Sequence, residues 1–153
     1  MLTDNEIRGL IESPKKIIDK QFKPIIDGKH SAATAELECL NATGNFQLFI
    51  RQHTEFGDNF SIGLNYQNSG KKYLLIRVNG STTHHKIVHH RTPHVHLLTE
   101  DDIENGRESK PSKIEYNIPC VSFKEAILYF VKRVNINNHL DYFGNLFELG
   151  LFE

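Results

Sequence analysis

Four strand-like runs, most of them alternating between apolar and polar residues, decide what this chain can become. From Ala33 to Cys39 the positions Ala33, Ala35, Leu37 and Cys39 are apolar while Thr34, Glu36 and Glu38 are polar, the period of a strand half buried against a core. Residues 41–45, NATGN, are turn-like. Phe46 to Gln52 resumes with Phe46, Leu48 and Ile50 on one face, so the two runs predict an antiparallel hairpin. Phe60, Ile62, Leu64 and Tyr66 repeat the alternation, QNSGK supplies a loop, and Tyr73–Val78 gives a fourth strand and a second hairpin. The runs share no motif beyond alternation, so no internal repeat is visible.

Helical signals lie at the two ends. Thr3 with Glu6 matches a capping box, in which each side chain satisfies the other residue's backbone N–H, and a short helix over Asp4–Ser13 follows with Ile7, Leu10 and Ile11 on one side. Pro14 ends it. The basic and apolar stretch from Lys15 to Lys29 reads as a solvated connector, with a phosphate-touching strip as the alternative. Ser122 with Glu125 is a second capping box, followed at helical spacing by Ala126, Ile127, Phe130, Val131 and Val134. The tail from His139, HLDYFGNLFELGLFE, is apolar enough to be a last helix docked on the core, or a patch that pairs subunits in a homodimer or binds a partner.

Between sheet and C-terminal helix, Arg77–Asp102 holds six of the nine histidines. His94 and His96 are one residue apart, so in an extended segment both imidazoles point to one side while Val95 and Leu97 point to the other. Pro93 suits the start of such a strand, where its missing N–H costs little. This HVHLL strand completes a sheet of five strands, mainly antiparallel. Thr99–Pro111 then reads as a turn of helix within a surface loop. The expected fold is α+β: one domain over residues 1–153, with a helix and connector at 1–30, the sheet at 31–98, a surface loop at 99–121 and helices at 122–153.

Length and composition bound the rest. At 153 residues, 39% apolar and 24% charged, the chain is long enough for one core without disulfides or a structural metal. Cys39 and Cys120 are in no ligand-like spacing and read as reduced buried thiols. No apolar run approaches the roughly 20 residues that span a bilayer. The start, MLTDNEIRGLIESPKK, is acidic where a secretory signal is basic, so a cytoplasmic protein is expected. A formal charge of −1 advertises no global basic field, which leaves only a local site for nucleic acid.

The histidines admit two chemistries. His94, His96 and His84 could hold zinc or manganese, with Glu100, Asp101 or Asp102 adding a carboxylate, although an HxH pair alone is common and there is no CxxC or HExxH. Alternatively, paired imidazoles without any metal could remove a proton from a 2′-hydroxyl of RNA and return one to the leaving 5′-oxygen. Arg77 or Arg91 would stabilise the phosphorane charge, and His84 or His85 could assist. A histidine triad would need a third His where Leu98 stands, and there is no Gly-rich phosphate cradle. Against both, a His-rich loop can be only a solvated turn, and His89 and His90 read as loop residues.

Arg77 in LLIRV, His84 or His85 in STTHH, Pro93, His94 and His96 in TPHVHL, and Asn135-Ile136 after the last helix together form a pattern, as does the acidic start leading to SPKK. In these the chain, over about residues 1 to 138, resembles a widespread, uncharacterised bacterial family of domains of unknown function. It departs from that pattern where the acidic LLTEDDIENG replaces an aromatic and basic segment, and its extra histidines and apolar tail lie outside it. The resemblance implies importance for Arg77, a loop histidine and the His94/His96 pair, and transfers no activity. By analogy, such small domains are similar to those of bacterial toxin–antitoxin and phage-conflict systems. The expectation is a histidine-based ribonuclease acting on RNA. The rival expectation is a non-enzymatic inhibitor or antitoxin-like protein bound to a protein partner.

Overall fold

The structure is a computed structural model that describes residues 2–18, 25–81, 93–116, 118–120, 122–139 and 141–142, with backbone alone at 25–27. The chain runs α1 (Asp4–Glu12), β1 (Lys15–Ile17), β2 (Ile25–Asp27), β3 (His30–Cys39), β4 (Asn45–His53), β5 (Phe60–Asn68), β6 (Lys71–Asn79), β7 (His94–Leu97), α2 (Glu100–Glu104), β8 (Lys113–Glu115) and α3 (Phe123–Arg133). The class is α+β. The strands form one antiparallel sheet in the order β1-β3-β4-β5-β6-β7-β8, with β2 also on β3. Because β1 pairs with the end of β3 (Ile17 with Leu37) and β2 with its start (Ile25 with Ala32), eight strands occupy seven positions.

Both expected hairpins form. Leu37 sits opposite Phe46, Ala35 opposite Leu48 and Ala33 opposite Ile50, so the alternation of the two strands is in phase across the pair. The second hairpin turns tightly through Ser69 and Gly70, both at positive φ (53° and 80°), the two-residue turn whose twist matches that of the strands it joins. Leu48, Ile50, Ile62, Leu64, Ile76, Val78 and Val95 are at most 1% exposed on the same sheet face. Ile7 and Ile11 of α1 and Phe123, Ala126, Ile127, Phe130 and Val131 of α3 join them in a single cluster, with the Phe60 and Phe123 rings 5.0 Å apart. Each such side chain contributes about 1.5–3 kcal/mol of transfer free energy.

Three of the eight strands went unread in the sequence. The sheet was expected to have five, but β1 and β2 lie in the supposed connector and β8 in the supposed surface loop, whose expected turn of helix forms as α2. Each of these strands is three residues long, too short for alternation to stand out. Lys15 shows the consequence most sharply. It is 1% exposed, not solvated: its Nζ donates to the carbonyls of Ile11 (2.9 Å), Ser13 (2.7 Å) and Val134 (3.0 Å) and lies 5.2 Å from the centre of the Phe46 ring. Its backbone bonds Asn135 and Asn137, forming an isolated parallel bridge to Ile136. Asn138 extends this link by hydrogen bonding both backbone groups of Ile17 through its side chain.

A second buried charge organises the other end. Thr99 and Asp102 form a capping box on α2, and Asp102, with 0% exposure, also accepts from Ser112 N (3.0 Å) and from Arg107 Nε and Nη2 (3.2 and 3.0 Å). Burial raises its pKa, and the bonds from Ser112, Arg107 and Thr99 outweigh this and hold the carboxyl below its ordinary range. The Ser122 cap is only half of the expected box: Ser122 Oγ accepts from Glu125 N, and Ser122 Oγ also donates to the Glu125 carboxylate. Cys120 is buried, which pushes its thiol up to about 11 with Glu125 adding to the effect, while Cys39 is half-buried and not fully buried as expected; neither is in a disulfide. Residues 143–153 of the apolar tail lie outside the described residues, but Tyr142 packs on the core cluster. No helix among the described residues is long and apolar enough to cross a membrane.

Burial pulls the Lys15 ammonium down to about 8 from 10.5, with Cys39 acting weakly against it. Between these values the unfolded chain holds more protons than the folded one, so stability rises with pH. The unfolding free energy of the protein minus that of Lys15→Met, followed by denaturant titration, is expected to grow by about 3 kcal/mol across that window. Asp102 acts in the same direction in a lower pH window. Its contribution is complete above the ordinary carboxyl range and is lost as pH falls below it, and Asp102→Asn is expected to cost about 3 kcal/mol at neutral pH, with a flatter acid limb in thermal melts.

Candidate active site

The sheet face turned away from the core carries the polar side chains, and register sets them in rows. One row runs Ala32, Arg51, Ser61, Asn79 and His94 across β3, β4, β5, β6 and β7. The next runs Thr34, Phe49, Gly63, Arg77, His96 and Ile114, reaching β8. Arg77 and His96 are therefore direct cross-strand neighbours, and Asn79 and His94 likewise. Antiparallel partners bring their side chains within about 5.5 Å of each other at Cβ.

The imidazole pair expected from the sequence is present on this face. The His94 and His96 rings lie 4.9 Å apart at 65°, and Tyr116, just past β8, has its ring 6.1 Å from that of His94. Both histidines are buried, at 2% and 8% exposure, which the alternation alone did not indicate. Arg77 is half-buried; its Nε is fully buried and makes no hydrogen bond among the described residues. Burial alone pulls its pKa below the ordinary value. A buried donor without a partner is rare enough in folded proteins to call for an explanation, and an anionic ligand oxygen is one such partner.

Two polar groups beside this cluster are already committed. Ser61 Oγ donates to Asn79 Oδ1 at 2.9 Å, which fixes the facing of the Asn79 amide beside His94. Gly63 is required by its neighbours: a Cβ there would collide with the Phe49 ring and sit 3.2 Å from Leu74 Cδ1. The ring of Phe49 thus lies over the glycine that separates it from Arg77. Gly63→Ala is expected to displace that ring and lower stability by about 1–3 kcal/mol, read as a fall in melting temperature.

His84 and His85, the candidate third members, and His89, His90 and Arg91 lie outside the described residues. Among the described residues no group of three or more His, Cys, Asp or Glu side chains could hold a metal ion. The carboxylates offered as metal ligands have structural partners: Glu100 Oε1 accepts from Asp4 N and Glu100 N donates to Asp4 Oδ1, both at 2.8 Å, and Asp102 is saturated as described above. Arg51, Ser61, Asn79 and Tyr116 were missed. The signal for the first two was available, because a strand with Ile50 and Ile62 inward must turn Arg51 and Ser61 outward, but which outward residues meet His94 depends on register.

Comparison with protein-family models, with curated proteins and with solved structures returned no match.

Proposed function

We propose that the protein is a metal-independent ribonuclease of a toxin–antitoxin or phage-conflict type, with His94 and His96 as acid and base and Arg77 as the charge-stabilising group. The observation that carries this reading is the buried, unpartnered Nε of Arg77 in register with His96 on the face opposite the core. A guanidinium left short of a hydrogen-bond partner in a low-dielectric setting is poised for a phosphoryl oxygen, where charge develops during transesterification.

The steps balance without a cofactor. One imidazole accepts the proton of a 2′-hydroxyl as that oxygen attacks the adjacent phosphorus; the P–O5′ bond breaks, and the second imidazole, protonated, gives its proton to the departing 5′-oxygen. The products are a 2′,3′-cyclic phosphate and a 5′-hydroxyl end. Arg77 would bind a non-bridging oxygen most strongly in the transition state, as charge develops there. Asn79, held by Ser61, would position the nucleotide next to His94, and a loop histidine, His84 or His85, would assist. The cytoplasm, where such systems act, is the compartment that fits this reading.

The double substitution His94→Ala and His96→Ala, at two buried positions, is expected to lower the melting temperature while leaving the protein folded at about 25 °C, and to abolish RNA cleavage and any growth arrest on expression. Arg77→Lys should lower kcat about 100-fold or more with KM little changed, because a point charge cannot replace the guanidinium fork in the transition state. Full activity in the double variant would end the proposal. Activity lost to a chelator and restored by zinc or manganese would replace it with a metal-dependent mechanism.

A further inference from the structure

We infer that the same sheet face binds single-stranded RNA along a track from His94 to the far end of β4, with Arg51 as a phosphate contact and the His53–Phe56 turn as a base-stacking platform. The inference deepens the ribonuclease reading and rests on it for the direction of the track. Arg51 is exposed and lies three strands from His94 in the same register row, about 14 Å at the usual strand spacing. Ser61 and Asn79 fill the two positions between them. An extended single strand covers that distance in a few nucleotides.

The far end is built from rings and a cation. Arg51 Nη2 donates to His30 Nδ1 at 3.1 Å, and since a guanidinium can only donate, that nitrogen is the acceptor. The His30 and His53 rings meet edge to face at 5.2 Å, and the Phe56 ring packs 5.0 Å from His53. His53 Nδ1 accepts from the backbone N–H groups of both Glu55 and Phe56, each at 3.1 Å, which locks the turn that presents Phe56. Phe56 remains 52% exposed, one of few large apolar side chains in that position among the described residues. An ordered, exposed aromatic ring beside an arginine is the arrangement that stacks an unpaired base while the cation meets its phosphate.

Charge on this face is mixed, with the arginines at one end. Arg77, Arg51, His30 and His53 lie toward the His94 end of the strands, while Glu36 and Glu38 of β3 lie further along, beside Lys72 and, in an ion pair at 3.5 Å with Glu38, Lys16. Glu55 and Asp58 belong to the β4–β5 loop beyond the sheet. A duplex presents its bases stacked inward and offers the Phe56 ring no unpaired base to stack on.

The test uses the full chain carrying His94→Ala and His96→Ala, a fluorescein-labelled single-stranded RNA of mixed sequence, and the duplex of the same sequence, with binding read by anisotropy. The single strand is expected to bind more tightly than the duplex. Adding Arg51→Ala and Phe56→Ala should weaken single-strand binding at least about tenfold, the size of one lost base stack. Arg51→Ala alone should lower the slope of log Kd against log salt by about 0.7. Both residues are exposed, so an unchanged thermal melt is expected and confirms that the fold survives. Duplex bound as tightly as single strand, or affinity untouched by the two changes, overturns the inference. Cleavage by the chain with its histidines intact is measured in parallel. Cleavage that needs His94 and His96 but not Arg51 and Phe56 overturns the track and keeps the ribonuclease, whereas Arg51-dependent binding without cleavage supports the track and removes the ribonuclease.

Discussion

The buried ammonium of Lys15 is the interaction on which the assembly of this molecule depends. Its hydrogen bonds reach the last turn of α1, the residue after it, and the C-terminal cap of α3, where unsatisfied carbonyls carry the negative ends of two helix dipoles. The same residue is a strand partner of Cys39 and a backbone partner of the segment that follows α3. One side chain therefore neutralises two helix ends while its backbone closes the edge of the sheet. An apolar residue would fill the space but leave three carbonyls with no donor, which is why a costly charge is retained at a position 1% exposed.

With that edge closed and α1 and α3 committed to one face, the opposite face carries the polar rows of the candidate site. The core face is filled by apolar side chains matched strand by strand, so the sheet is rigid at the place where His94, His96, Arg77 and Asn79 stand. Groups built on paired strands hold their spacing better than groups on loops. Gly63 lets the Phe49 ring cross the middle of the face, and Asp102 ties α2 to the loop leading into β8, the strand beside His96. The acidic segment after β7 thus has structural partners in the frame around β8.

The parts that were legible in the sequence are those in which local pattern and burial agree. Alternation over β3, β4, β5 and β6 announced both hairpins and their inward residues, and the Thr3 box and the Ile7/Ile11 spacing announced α1. The HxH spacing put His94 and His96 on one face, away from Val95. The short strands escaped because three residues carry no measurable period, and Lys15 escaped because a lysine beside another lysine reads as solvated. Yet Lys15 and Ile17 alternate with exposed Lys16, which is the strand period in its smallest form.

By itself the sequence determined the class of fold, the two hairpins and the pairing of His94 with His96, since all of these follow from the backbone's own periods of two and 3.6 residues. Tertiary structure alone decided that Arg77 faces His96, that Asn79 and Ser61 stand between His94 and Arg51, and that Lys15 is buried. Those are matters of register and closure between segments distant in the chain. A shift of one residue in any strand pair would have turned each of these side chains to the other face without changing a letter of the local pattern.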